Sequence, residues 1–331
     1  VNEEYDLLVV GAGPAGLATG IEARRRGLSC IILDLGSIAH NISLFQREMP
    51  FFSTPELLEI GDVPFVVSGT RPTSLDCVNY YRSVAERHSL EFRFYRRVTV
   101  IRREGGGFVV VTANGEGYRA RNVVIATGYY LTPKRLGVPG EHLPHVNSYY
   151  RDPLPYYRQN VLIVGGKNSA VEAALDLWRH GAKVTVVHRG AALSGNVKYW
   201  ILPDFENRVA SGAIEFLTTT TVSEFKSGST ILRRSDGTLI ERPTDFAFTL
   251  IGYEADTGFL RECGIGVDPG TGAPVHDPAT METGVQGLFV AGGMVGGRFN
   301  NAVFIENGRL HGKMIVDEVA GRLAGRPQRV E

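Results

Sequence analysis

Three glycines, Gly11, Gly13 and Gly16, with the carboxylate of Asp34 following the last of them by 18 residues, form the pattern in this sequence that most directly implies chemistry. Gly11 lets the chain turn tightly, Gly13 leaves bare backbone where a pyrophosphate must approach, and Gly16 lets a helix lie close to a strand. Pro14 and Ala15 complete the turn, GAGPAG. The first N–H groups of such a helix attract an anion, and Asp34 is placed to accept hydrogen bonds from ribose hydroxyls. The chemistry implied is dinucleotide binding.

The elements needed to position these groups are legible on both sides of the turn. Leu7 to Val10 is an apolar run suited to a strand buried on both faces. Leu17, Ala18 and Ile21 form one helical stripe, and Gly27 follows the basic last turn Arg24, Arg25 and Arg26 as a stop signal. Adding 154 to this unit lands on a second one, NVLIVGGKNSAVEAALDLWRHGAKVTVVHRG. Leu7–Val10 maps on Val161–Val164, Gly11 on Gly165, Gly16 on Ala170, Gly27 on Gly181 and Asp34 on His188. Val171, Ala174, Leu175 and Trp178 give the second helix its buried face. Two matched units imply two dinucleotides.

The differences between the copies assign the ligands. The acid Asp34 suits an unphosphorylated ribose, as in FAD, whereas His188 and Arg189 suit a 2′-phosphate, as in NADPH. The alternative is that His188 and Arg189 cap a solvated strand end. Lys167 stands where the middle glycine would be, to contact the pyrophosphate or to point into solvent.

Between the units, Asn41 to Phe65 is apolar but punctuated by Pro and Gly, which predicts a long irregular segment covering the flavin. A helix is expected from Thr73 or Ser74 to about His88, with Cys77 in its core face beside Tyr81 and Val84. Hairpins are expected around Asn114-Gly115 and Asp236-Gly237, each leading to a last apolar strand, Val123–Gly128 and Phe246–Gly252. Leu288 to Ala291 reads as a buried strand returning to the first domain, and a helix is expected from about Asn301, its N-terminus stabilising charge on a reduced flavin. His311 and Glu306 fall on that helix, where a proton relay and simple capping are both open.

Of the 331 residues 43% are hydrophobic, enough for a large core, and the length suggests two domains. Lys plus Arg equals Asp plus Glu at 35 each, so no overall field favours nucleic acid or an anionic membrane. No apolar run reaches the roughly 18 residues of a membrane span, and a strand stands where a secretory leader would need its apolar stretch. A cytoplasmic protein with no nucleic-acid or membrane partner is the expectation. Cys30, Cys77 and Cys263 lie far apart, against both a disulfide scaffold and a Cys-x-x-Cys pair. Cys30 is expected in the core and Cys263 partly exposed; no spaced His and carboxylate ligands for a metal are apparent.

GAGPAG, the ATG at Ala126–Gly128, a second nucleotide fold inserted between, and an AGG strand-turn before a last helix resemble the low-molecular-weight thioredoxin reductase group of two-dinucleotide flavoproteins. FFSTPELLEIGDVPF, VGGKNSAVEAALDL, HRG, KYWILPDFENR and NNAVFIENGRLHG resemble its bacillithiol-disulfide reductase branch. The likeness covers nearly the whole chain. It implies an α/β fold of two Rossmann-like three-layer domains, an FAD domain over 1–130 and 250–331 and an inserted NADPH domain over 131–249, in a homodimer. It further implies that Gly11, Gly13, Pro14, Ala15, Gly16, Asp34, Ala126, Thr127, Gly128 and Gly293 hold FAD, and that Gly165, Gly166, Lys167, Asn168, Ser169, Ala170, His188 and Arg189 hold NADPH.

The departures from that pattern bear on the acceptor. The Cys-x-x-Cys of thioredoxin reductases is absent from VNSYYRDPLPYYRQN, which excludes a thioredoxin-type relay. Gly293 stands where an Asp commonly makes a ribitol contact. Ala15 stands where the bacillithiol branch commonly has a cysteine, and an alanine cannot take up a mixed disulfide. The expected reaction is hydride transfer from NADPH to flavin, after hinging at Tyr130–Pro133 and Thr249–Gly252, and then reduction of a low-molecular-weight disulfide such as bacillithiol disulfide. A ferredoxin or flavodoxin NADP reductase, passing electrons to a small carrier protein, and a flavin-based redox-sensing module are the alternatives.

Overall fold

Leu7–Val10 lacks polar residues because the strand carrying it has a parallel neighbour on each side. In the computed structural model, which describes residues 4–299 and 302–324, Glu4–Val10 runs between Cys30–Leu33 and Gly117–Ile125, and Leu7, Leu8 and Val9 are fully buried. Glu91–Arg93 extends this sheet beyond Cys30–Leu33. Gly117–Ile125 changes partner along its far edge. Its start pairs antiparallel with Gly107–Thr112, followed by Val98–Glu104, and its end pairs parallel with Leu288–Val290. Seven strands result.

The helix Pro14–Arg25 buries Leu17 and Ile21, each burial contributing about 1.5–3 kcal/mol. Its other neighbour is the helix His311–Ala324, whose Gly312 allows backbone approach, since a Cβ there would stand 2.6 Å from the Thr19 nitrogen. The helix Ser74–Arg87 begins at a reciprocal cap between Thr73 and Asp76, and Cys77, Tyr81 and Val84 are buried as their spacing predicts.

The second unit repeats the scheme. Asn160–Val164 lies between Lys183–Val187 and Phe246–Thr249, with Ile214–Leu217 and Val146–Asn147 at the edges, all parallel. Its helix Asn168–Arg179 buries Val171, Ala174 and Leu175, while Trp178 is half-buried under the Arg208 guanidinium, 4.7 Å from the ring centroid. The expected hairpin forms part of a separate three-stranded sheet, Thr220–Lys226, Ser229–Arg234 and Leu239–Pro243. Both units are α/β folds, the chain of one inserted in that of the other.

The chain divides into a first unit, made of the segment ending at Ser43, Ser53–Thr132 and the segment from Tyr253, and a second unit of Leu44–Phe52 and Pro133–Gly252. The nine-residue excursion differs from the sequence expectation, which placed all of 41–65 with the flavin domain. Its cause is remote: the Lys198 ammonium donates to the Pro50 carbonyl at 2.8 Å, and the Phe52 and Trp200 rings meet at 5.6 Å. Chain thus passes between the units four times rather than twice.

The helix expected from about Asn301 is also different. Asn301 itself lies outside the described residues, and the following chain forms one helical turn, Ile305–Gly308, before the long helix starts at His311. Asn307 fixes the start of that turn, accepting from the Phe304 N–H at 2.8 Å and donating to the Ala302 carbonyl at 3.0 Å. A single turn offers no helix terminus of the strength expected for a charge on flavin.

Candidate functional site

The first turn is held by two backbone bonds, Gly11 N–H to the Leu33 carbonyl at 2.7 Å and Ala126 N–H to the Val10 carbonyl at 2.8 Å. Gly11 has φ +113°, and a Cβ there would stand 2.5 Å from the Ala126 oxygen. Nothing lies within 4 Å of the corresponding point at Gly13, so bare backbone faces open space where a pyrophosphate could approach. At Gly16 a Cβ would stand 1.9 Å from the Gly11 oxygen, so the helix touches its own turn. Pro14 occupies the first helical turn and no side chain caps it, which leaves N–H groups for an anion.

Asp34 does more than its position at the strand end suggests. Its two carboxylate oxygens accept from the N–H groups of Ala12 and Gly36, each at 2.7 Å, and the residue is buried. Burial pushes its carboxyl above the ordinary carboxylate range, and the two N–H groups and His40 pull it back. Each carboxylate oxygen has a second lone pair, so tying down the turn leaves capacity for ribose hydroxyls. At the neighbouring strand end, Asn41 donates to the Thr127 carbonyl at 3.1 Å, and Gly128 takes φ +68°. Asn41 carried no sequence signal for this role.

The second turn keeps the backbone scheme and changes the side chains. Gly165 N–H bonds the Val187 carbonyl at 3.0 Å and Leu250 N–H bonds the Val164 carbonyl at 2.9 Å. His188 stands where the first copy has Asp34. The His188 ring lies against Gly166, where a Cβ would stand 2.4 Å from it, and against Gly190, where the distance would be 2.8 Å. Lys167, Ser169 and Arg189 are exposed. Ala170 is fully buried and carries a Cβ where the first turn admits none. Asn168 faces a neighbouring loop, accepting from the Lys198 N–H at 2.7 Å and donating to the Asn196 carbonyl at 3.3 Å.

After Leu288–Val290 the chain returns to the first turn. Gly292 has φ +73°, and its absent Cβ would stand 2.9 Å from that of Ala15. The Gly292 N–H donates to His311 Nδ1 at 3.2 Å. Burial, with a smaller contribution from His276, lowers the His311 pKa, which favours the neutral ring that accepts this N–H. Glu306 accepts from the Ser53 hydroxyl. At Gly293 the space of a side chain is filled by the Tyr129 ring, 2.8 Å from the Cβ position.

None of the three thiols is an available nucleophile. Cys77 is fully buried, and burial raises its pKa further than that of the others. Burial, reinforced by the Glu91 and Asp6 carboxylates, pushes Cys30 up to about 12, and burial pushes Cys263 up to about 11. Cys263 is buried, against the expectation of partial exposure, because the turn after Thr257–Glu262 folds it into the first core with Leu260 and Ile265. Thiolate, not thiol, attacks disulfides. Among the described residues no group of three or more His, Cys, Asp or Glu could hold a metal, and no helix is long and apolar enough to cross a membrane.

A family model described as pyridine nucleotide-disulphide oxidoreductase matches residues 8–292. The chain is 37% identical over 315 residues to the bacilliredoxin reductase Bdr of Bacillus subtilis, covering 95% of this chain and 97% of that protein. Among solved structures, the bacillithiol disulfide reductase Bdr of Bacillus cereus superposes with a TM-score of 0.93 at 37% identity, over 97% of this chain and 100% of that one. The Staphylococcus aureus counterpart gives 0.92 at 34% identity, over 97% and 99%.

Proposed function

The chain belongs to the pyridine nucleotide-disulphide oxidoreductase family, and from that premise we propose that it uses NADPH to reduce a low-molecular-weight disulfide, bacillithiol disulfide foremost, without a protein thiol in the relay. It is a flavin-dependent reductase of the thioredoxin-reductase-like kind, with FAD and NADPH as cofactors. The carrying observation is the contrast between the two turns: a carboxylate bonded to one, and an imidazole against the other, followed in sequence by the exposed Arg189.

FAD then occupies the first turn, its pyrophosphate at Gly13 and the Pro14–Arg25 terminus and its ribose at Asp34, with Gly11, Ala15, Gly16, Ala126, Thr127, Gly128 and Gly293 forming the surrounding walls. NADPH occupies the second turn at Gly165–Ala170, its 2′-phosphate beside His188 and Arg189. FAD held at the first turn would supply two-electron redox chemistry between the nicotinamide and the disulfide. The balance is NADPH, one proton and R–S–S–R giving NADP⁺ and two R–SH. The protein holds both cofactors in place and keeps its own thiols protonated, with Cys77 and Cys263 buried and Cys30, expected in the core, half-buried at the start of its strand, so none competes for the acceptor.

The names of the B. cereus and S. aureus relatives support the substrate class. Inert thiols fit a one-electron carrier equally, and ferredoxin–NADP reductases are among the relatives at 25–27% identity. The test follows NADPH oxidation with bacillithiol disulfide, glutathione disulfide and ferredoxin in parallel. Bacillithiol disulfide is expected to turn over fastest, and turnover with ferredoxin alone would transfer the assignment to the carrier reading.

A further inference from the structure

Five polar contacts within the second unit form a continuous path from the Gly165 turn to the excursion Leu44–Phe52. Ser194 N–H donates to the Gly166 carbonyl at 3.0 Å, and the Asn168 side chain bonds the backbone of Asn196 and Lys198. From that loop the Lys198 ammonium reaches the Glu172 carboxylate at 2.6 Å and the Pro50 carbonyl at 2.8 Å. It also lies 5.7 Å from the centroid of the Trp200 ring, on which Phe52 rests. Lys198 and Glu172 are both more than nine-tenths buried.

A lysine so enclosed persists because its charge is paired. A buried ion pair is a poor source of stability, since an apolar pair of similar volume holds a fold equally well. Its distinctive property is direction: the ammonium fixes Pro50 relative to the helix that starts at the nucleotide turn. A cleft of about 290 Å³ remains between Gln46, Glu48, Met49 and Pro50 on one side and Glu172, Asp176 and Arg179 on the other.

We propose that the loop Ser194–Trp200 is a relay by which nucleotide occupancy of the Gly165 turn orders the segment Leu44–Phe52, with Lys198 as the positioning residue. The inference rests on NADPH binding at that turn. A nucleotide that immobilises Gly166 and Asn168 immobilises the loop bonded to them, and the ammonium passes the restraint to Pro50. The segment is continuous at both ends with the first unit, through Ser43 and Ser53, so a restraint on it is delivered to the chain that carries the first turn. Coupling of this kind is reciprocal in binding free energy.

Hydrogen exchange of the Leu44–Phe52 amides in the FAD-loaded protein, with and without saturating NADP⁺, tests the relay, with NADP⁺ affinity measured separately by calorimetry. In the wild type NADP⁺ is expected to slow exchange by about fivefold or more. The double variant Glu172→Leu with Lys198→Met replaces the pair by apolar groups; it should bind NADP⁺ within about threefold of the wild type and lose the slowing. Glu172→Gln, which preserves an acceptor for the ammonium, should retain it. Wild type that binds NADP⁺ without slowing, or a double variant that slows equally, overturns the relay. Wild type that binds no NADP⁺ overturns the nucleotide assignment, a separate failure that calorimetry reports directly.

Discussion

The turns at Gly11 and Gly165 share a backbone scheme and differ in what reaches over them. At the first, Asp34 accepts two N–H groups, so the carboxylate proposed for the ribose also holds the turn. At the second, the His188 ring lies between two glycines. The exchange is coupled: Ala12 in the first copy becomes Gly166 in the second, because the imidazole fills the space an alanine methyl would need. Duplicated units diverge in sets of residues that share a space, and the ribose-side group is one member of such a set.

The largest test of that contrast is at the third position. Gly16→Ala puts a methyl into the Gly11 carbonyl and is expected to cost more than about 3 kcal/mol and to abolish FAD retention, read as the ratio of flavin to protein absorbance. Ala170→Gly in the other copy should cost about 1 kcal/mol and leave flavin bound. Equal losses would end the claim that the two helices stand at different distances from their turns.

Next is Asp34→Ala, which strands the Ala12 and Gly36 N–H groups at about 1–3 kcal/mol each and weakens FAD. The matching Arg189→Ala should leave thermal stability unchanged and lower the preference for NADPH over NADH about tenfold. Smaller again is the coupling between Gly166 and His188. Gly166→Ala should destabilise, and His188→Ala should relieve it by about 1–2 kcal/mol in a double-mutant cycle; strict additivity would show that the ring does not need the glycine.

The smallest effect is on pH dependence and belongs to the first unit. His311 has a native pKa below 6.5, so the unfolded chain binds a proton that the folded one refuses. Its contribution is fully present above the unfolded value, and it is lost as pH falls through the native one. Denaturant unfolding between pH 7 and 5 should therefore steepen its loss with acid, and His311→Gln should flatten that slope.

Both nucleotide units and the stripe of the first helix were legible because glycine spacing, periodicity and caps act within a few residues of one another. Leu44–Phe52 was not, because its allegiance is decided by an ammonium nearly 150 positions away that leaves no local pattern. Cys263 was misread for a related reason: charged neighbours in LRECGIGVD suggest a surface, yet one turn after a short helix points the thiol inward. Asp34 was placed for the ribose, but its grip on Ala12 and Gly36 needed the fold, since spacing along a chain does not report where a carboxylate's second oxygen goes.

The excursion at Leu44–Phe52 also limits how this architecture can be taken apart. Excising Pro133–Gly252 as a portable cassette would leave behind the strip that packs on Trp200 and supplies the Pro50 carbonyl, taking from Trp200 its contact with Phe52 and from the Lys198 ammonium one of its acceptors. A chimaera that swaps the insert between homologues must exchange two stretches of gene, not one.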